Sequence, residues 1–145
     1  MSRTSPDAEF QPLRIAVVTI SDTRTAENDS SGDYLAESLL EAGHLLASRK
    51  IVIDNKYALR AEVSALIAHE EVDIILTTGS TGLTGRDLAP ESLEPLFDKS
   101  IEGFGELFRA ASIKDIGAAT IQSRAFAGLA NGTVIFCMPG SPNAC

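Results

Sequence analysis

The chain has 145 residues, 44% of them hydrophobic, and a formal net charge of −8. That length suits one domain with a sizeable core and is too short for two ordinary ones, and the apolar share excludes a disordered chain. No apolar run approaches the roughly 20 residues that span a bilayer, and no Lys/Arg cluster offers a stripe for a phosphate backbone, so neither membrane nor nucleic acid is an expected partner.

Residues 1–13 read as a flexible polar tail with two prolines, lacking the basic-then-apolar order of a secretory signal. Residues 14–145 read as the domain. The cysteines, Cys137 and Cys145, and the histidines, His44 and His69, show no zinc spacing. Cys137 lies in an apolar run and reads as a buried free thiol, which fits a reducing, cytoplasmic compartment.

Arg14 to Ile20 is a continuous β-branched run, the pattern of a strand covered on both faces. A polar loop, Ser21 to Ser31, follows. Leu35, Leu39 and Ala42 recur at helical spacing up to Gly43, with Ser30 and Asp33 as the expected N-terminal cap. His44 to Asp54 is a second, less apolar strand, placed near an edge. Asn55 caps a helix with Leu59, Val63, Leu66 and Ile67 on one face, and Val72 to Thr77 is a third strand. This β-α-β-α-β order implies parallel strands with right-handed crossovers and helices on both faces.

A glycine-rich loop, Thr78 to Ala89, leads to Pro90, which opens a short helix. Gly103 to Ser112 reads as a helix with Phe104, Leu107 and Phe108 inward. Arg124 to Ala130 and Thr133 to Met138 flank Asn131-Gly132, a type I′ hairpin signal. The expected fold is therefore α/β, with three layers, a mostly parallel mixed sheet, and a C-terminal antiparallel hairpin.

In open α/β sheets, ligands bind beyond the carboxyl ends of the strands. The loops there hold Ser21, Asp22, Asp29, Ser31 and Gly32; then Asp54; then Thr78, Gly79, Ser80, Thr81 and Gly82, with Arg86, Asp87 and Glu91 beyond; and last Pro139, Gly140, Ser141 and Pro142. Gly79, Gly82 and Gly85 alternate with hydroxyl residues, so backbone N–H groups can approach an anion closely. The loop is neither a Walker loop nor a Rossmann fingerprint, and a plain flexible turn is the other reading. Asp54 and Asp87 fall on neighbouring loops, where two carboxylates could hold Mg²⁺. Each alone also reads as a turn or helix-start residue. A phosphoacceptor receiver domain would need an aspartate ending the third strand, where this chain has Thr77-Thr78-Gly79.

With Thr77-Thr78-Gly79-Ser80-Thr81-Gly82, Arg86-Asp87-x-x-Pro90-Glu91 and Met138-Pro139-Gly140-Ser141-Pro142, the chain resembles the molybdopterin-binding Mog/MoaB family. That family includes the G domain of gephyrin. Ser21-Asp22, Asp29-x-Ser31-Gly32, Gly103-Phe104-Gly105-Glu106 and Gln122-Ser123-Arg124-Ala125 match in order, from about Arg14 to the end. Ala58 to Val63 and Glu102 to Glu106 look closest to the branch of molybdenum cofactor biosynthesis protein B. The resemblance implies a three-layer α/β fold, a homotrimer or homohexamer, and molybdopterin binding. Its catalytic members transfer AMP from ATP to the terminal phosphate of molybdopterin with Mg²⁺.

Carried onto this chain, Asp54 and Asp87 would be the metal-linked catalytic positions. Thr78 to Gly82 and Glu91 would form the phosphate cradle and its flank. Ser21, Asp22, Asp29 and Ser123 would line the pterin side and Pro139 to Pro142 the adenosine side, with Ser31 and Gly32 also substrate-binding. The alternative is a molybdopterin carrier or scaffold without turnover. Two departures stand out: Ser80 replaces the second glycine of the usual Gly-Gly-Thr-Gly, and family members continue past the position of Cys145 into a further helix. Phe97, Ile101, Phe104, Leu107 and Phe108 cluster after the glycine loop and are the expected oligomer patch.

Overall fold

The computed structural model describes residues 8–145, so residues 1–7 of the expected tail lie outside the described residues. Its strands are β1 (Arg14–Ile20), β2 (Leu45–Val52), β3 (Ile74–Thr78), β4 (Lys99–Ser100), β5 (Phe126–Ala130) and β6 (Thr133–Met138). Its α-helices are α1 (Ser30–Glu41), α2 (Lys56–Ala68), α3 (Ala89–Leu93) and α4 (Glu102–Ile116). The strands form one sheet in the order β2-β1-β3-β6-β5-β4. β2, β1, β3 and β6 run parallel, β5 is antiparallel to β6, and β4 is antiparallel to β5. This is the three-layer mixed sheet expected from the sequence, with the two-residue β4 and 3₁₀ turns at Glu94–Leu96, Gly117–Gln122 and Pro142–Ala144 added.

β1 shows why the apolar run is continuous. Successive side chains point to opposite faces of a sheet. Ala16, Val18 and Ile20 pack with Leu59, Val63 and Leu66 of α2 and with Ala89 and Leu93 of α3. Ile15 and Val17 pack on the other face with Leu35 and Leu39 of α1 and with Phe104 and Phe108 of α4. Two helices therefore cover each face. β2 is an edge strand and carries the more polar sequence. At the start of the sheet, Asp73 accepts hydrogen bonds from the Arg14 amide, Nε and guanidinium at 2.8–3.0 Å, which ties β1 to the entry of β3. Leu13, in the segment before β1, donates its amide to His44 Nδ1 and accepts from the Leu45 amide.

Several local expectations are corrected. The N-cap of α1 is Asp29, not Ser30, because the Asp29 carboxylate accepts from the Gly32 amide at 3.1 Å. Ala42 is the exposed C-cap of α1 and not an inward residue. α4 runs on to Ile116, four residues past the expected end, and Leu107 points outward, 71% exposed. Phe104 packs inward against Phe136 and Phe108, at centroid distances of 5.0 and 5.8 Å. Phe97 packs on Phe126. The aromatic residues of the expected oligomer patch are thus partly core, and the exposed apolar side chains of this region are Leu107, Ile113, Ile116 and Ile121. The Asn131-Gly132 turn matches its expectation: both residues have positive φ, 49° and 77°, and Ala130 pairs with Thr133 across it, as a two-residue type I′ hairpin requires.

Candidate functional site

β1 leads through α1 to β2 on one side of it, whereas β3, on its other side, leads away from β1 toward the β4, β5 and β6 half of the sheet. The loops leaving the carboxyl ends of β1 and β3 therefore diverge, and a crevice opens between them. A cleft of about 700 Å³ lies there. It is lined by Ser21, Asp22, Asp29 and Ser31 from the first loop, Asp54 from the second, Thr78, Gly79, Ser80, Thr81, Gly82 and Asp87 from the third, and Pro139 and Gly140 from the fourth. Ser123 completes it from the segment before β5.

The loops brace one another. The Gly79 amide donates to Met138 O at 2.9 Å, the Thr78 hydroxyl to Pro139 O at 2.9 Å, and the Ser31 hydroxyl to Gly140 O at 2.8 Å. Gly79 has φ +108°, and a Cβ there would collide with the Ile20 carbonyl oxygen, so this corner requires glycine. Arg124 pins the rest of the glycine loop. Its Nε donates to Gly82 O at 2.8 Å, one guanidinium nitrogen donates to Asp87 O at 2.9 Å, and the other pairs with Glu91. Beside Arg124, the Glu91 carboxyl is held below its usual range.

Four carboxylates line the cleft against one basic side chain, Arg24. Two of the four are spoken for. Asp29 is 1% exposed, accepts from the Thr19 hydroxyl at 2.7 Å and pairs with Arg49. Asp22 pairs with Arg86 and accepts the Asp54 amide at 3.0 Å. Among the described residues, neither Asp54 nor Asp87 has an ion-pair partner. Both oxygens of Asp54 lie 2.8–2.9 Å from the Ser80 hydroxyl. Asp87 accepts from the Thr84 amide and hydroxyl at 2.9 and 2.6 Å.

The two carboxyls are tuned in opposite directions. Burial pushes Asp54 above the ordinary carboxylate value; the Ser80 hydroxyl opposes this, and the charge of Asp87 adds to it. The Thr84 hydroxyl holds Asp87 below that value.

Among the described residues, no group of three or more His, Cys, Asp or Glu side chains could hold a metal ion by themselves. Two carboxylates not engaged in ion pairs do fit Mg²⁺, which keeps several waters and is bound by one or two carboxylates plus phosphate oxygens.

Four expected site residues do not line this cleft. Gly32 is buried in the first turn of α1, its amide used by Asp29. Glu91 lines a separate cleft beside α4. Ser141 and Pro142 are exposed at the final 3₁₀ turn. Conversely, Thr19, Thr23, Arg24, Ile116, Ala119 and Gln122 line the cleft without having been anticipated. Arg24 had a signal, as the one cation in an otherwise polar and acidic loop. The stretch from Ile116 to Gln122 had only Gly117, whose φ of +58° ends α4 and turns the chain.

Cys137 is fully buried and unpaired, and burial pushes its thiol up to about 12. Among the described residues, no helix is long and apolar enough to cross a membrane.

Comparison with known proteins gives the same outline. Residues 16–145 match the family model described as "Probable molybdopterin binding domain". The chain is 55% identical over 145 residues to molybdenum cofactor biosynthesis protein B of Escherichia coli K12, covering all of this chain and 84% of that protein. A crystal structure of molybdenum cofactor biosynthesis protein B superposes with a TM-score of 0.89 at 48% identity, covering 92% of this chain and 83% of that one. The tungsten cofactor synthesizing protein MoaB from Pyrococcus furiosus superposes with a TM-score of 0.78 at 36% identity, covering 94% and 87%. With a matching family model, close relatives and the same fold, the chain belongs to the molybdopterin-binding Mog/MoaB family.

Proposed function

We propose that this chain acts in molybdenum cofactor biosynthesis, binding molybdopterin and adenylylating its terminal phosphate with Mg-ATP. The observation that carries the reading is the pair of carboxylates without ion-pair partners, Asp54 and Asp87, beside an ordered glycine loop in a cleft of substrate size. In such a transfer, a terminal phosphate oxygen of the pterin forms a bond to the α-phosphorus of ATP. The bond from that phosphorus to the β-phosphate oxygen breaks, and pyrophosphate leaves. The protein's part is alignment and charge compensation.

Asp54 and Asp87 would hold Mg²⁺, which supplies charge neutralisation on the phosphates. The backbone of Thr78–Gly82 offers N–H donors to a phosphate, and Arg24 is the side-chain cation of the cleft. Ser123 has a buried hydroxyl with no hydrogen-bond partner among the described residues. It lines the cleft and suits a polar edge of the pterin, since a buried hydroxyl left unpaired is costly until a ligand meets it. Ser21, Asp22 and Ser31 also line the cleft and are candidates for the pterin, and Pro139 and Gly140 for the nucleotide.

Incubation with molybdopterin, ATP and Mg²⁺, followed by mass spectrometry, should yield adenylylated pterin and pyrophosphate. Pterin binding without any adenylylated product would instead assign the chain as a carrier. A homotrimer or homohexamer is proposed as the working assembly, on the family resemblance and on the exposed Leu107, Ile113, Ile116 and Ile121.

A further inference from the structure

Ser80 combines a glycine-like backbone with a side chain that is fully engaged. Its φ is +62°, a region that disfavours any residue with a Cβ. Its hydroxyl oxygen accepts the Leu88 amide at 2.7 Å. That contact uses a lone pair, so the hydroxyl proton is directed elsewhere. The nearest acceptors that face it are the Asp54 oxygens, Oδ1 at 2.8 Å and Oδ2 at 2.9 Å, with the Arg86 carbonyl oxygen farther off at 3.5 Å. The hydroxyl therefore sits across the edge between the two oxygens, where a cation would sit to be chelated by both at once. The Ser80 carbonyl also accepts the Ala89 amide at 3.0 Å. Together the two contacts fasten the serine to the start of α3 and keep it from swinging aside.

We propose that Ser80 is a positioning residue that sets cation specificity, by occupying the chelating edge of Asp54 and confining that carboxylate to coordination through one oxygen. One-oxygen coordination suits Mg²⁺, which is small, keeps its waters and demands near-octahedral geometry. Ca²⁺ takes more ligands and readily accepts a carboxylate through both oxygens. The serine in place of a loop glycine thus closes the site to the larger ion. The inference rests on the assignment of Asp54 to the metal.

The test is direct cation binding by titration calorimetry, with Mg²⁺ and with Ca²⁺, in the presence of a non-hydrolysable ATP analogue. Ser80→Gly removes the hydroxyl and leaves a residue at ease with the backbone angle. It should lower the preference for Mg²⁺ over Ca²⁺ by about tenfold, mainly through tighter Ca²⁺ binding. In an Asp54→Asn background the same change should leave the preference unaltered, because the effect runs through that carboxylate. Ser80→Ala, with thermal melts of both variants, separates loss of the hydroxyl from any loosening of the loop.

An unchanged preference in both Ser80 variants, or the same change with and without Asp54, overturns the inference and leaves the functional reading intact. Unaltered Mg²⁺ binding in Asp54→Asn alone overturns the metal assignment, and this inference with it.

Discussion

Replacing Arg124 by methionine keeps most of the side-chain volume and removes the guanidinium contacts that tie the glycine loop and α3 to the segment before β5, while the amide of residue 124 keeps its bond to Thr81 O at 3.2 Å. The guanidinium makes three such contacts, to Gly82 O, to Asp87 O and to Glu91. They differ in worth. A hydrogen bond from a charged donor contributes about 1.5–3 kcal/mol when shielded from water. Arg124 is 29% exposed, so the lower end applies and the two carbonyl contacts together come to about 3 kcal/mol. Glu91 is 45% exposed, which leaves its ion pair at about 0.5 kcal/mol. Arg124→Met should therefore lose about 3 kcal/mol in chemical denaturation, and Glu91→Gln about 0.5 kcal/mol. Hydrogen exchange should speed up at the amides of residues 82–88 in Arg124→Met and stay near wild type in Glu91→Gln. Comparable losses in the two variants, or an Arg124→Met protein that keeps its loop protection, would refute the ranking of carbonyl contacts over the ion pair.

Gly79→Ala should lose about 3 kcal/mol or fail to accumulate as folded protein, through the collision with Ile20 O and the φ of +108°; expression and a thermal melt check this. Asp73, held at about 2 by the Arg14 side chain, against an ordinary 3.8, contributes stability that is fully present above its unfolded value and is lost as pH falls through its folded one. Urea midpoints of wild type and Asp73→Asn should differ by a constant amount above about pH 5 and converge between pH 4 and pH 2. Leu107→Glu should lower the assembly state in light scattering and leave a folded chain by circular dichroism, because Leu107 is exposed in the single chain, whereas Phe104→Glu should chiefly unfold the protein. A monomeric wild type at micromolar concentration would end the oligomer proposal.

The parts legible in the sequence were those where one local rule decides the outcome. β1 reads directly because two covered faces demand an unbroken apolar run. The hairpin reads directly because Asn131-Gly132 supplies two left-handed residues in succession. β4 did not, since Lys99-Ser100 becomes a strand only by pairing with Leu129 and Gly128, far along the chain. The end of α4 and the outward turn of Leu107 escaped for a related reason. The last turns of that helix lie on the surface, so no inward periodicity marks them. At α1, Ser30 with Asp33 satisfied the spacing rule for a cap, but the Gly32 amide is reached by Asp29.

Within the site, the loops at the strand ends and the two catalytic aspartate candidates were legible as positions. Their partners were not. That Asp22 is paired and Asp54 is not depends on where Arg86 reaches. Arg124 serves a loop some forty residues earlier in the chain, and nothing near it in sequence says so.

The central claim is that Asp54 and Asp87 serve a Mg²⁺-dependent nucleotide site. Titration of ATP into the protein by calorimetry, with Mg²⁺ and then with the metal chelated, tests it most directly. The account predicts clear micromolar binding with Mg²⁺ that is lost on chelation and in Asp87→Asn. ATP binding that ignores the metal, or no ATP binding by protein that still takes up molybdopterin, would contradict it.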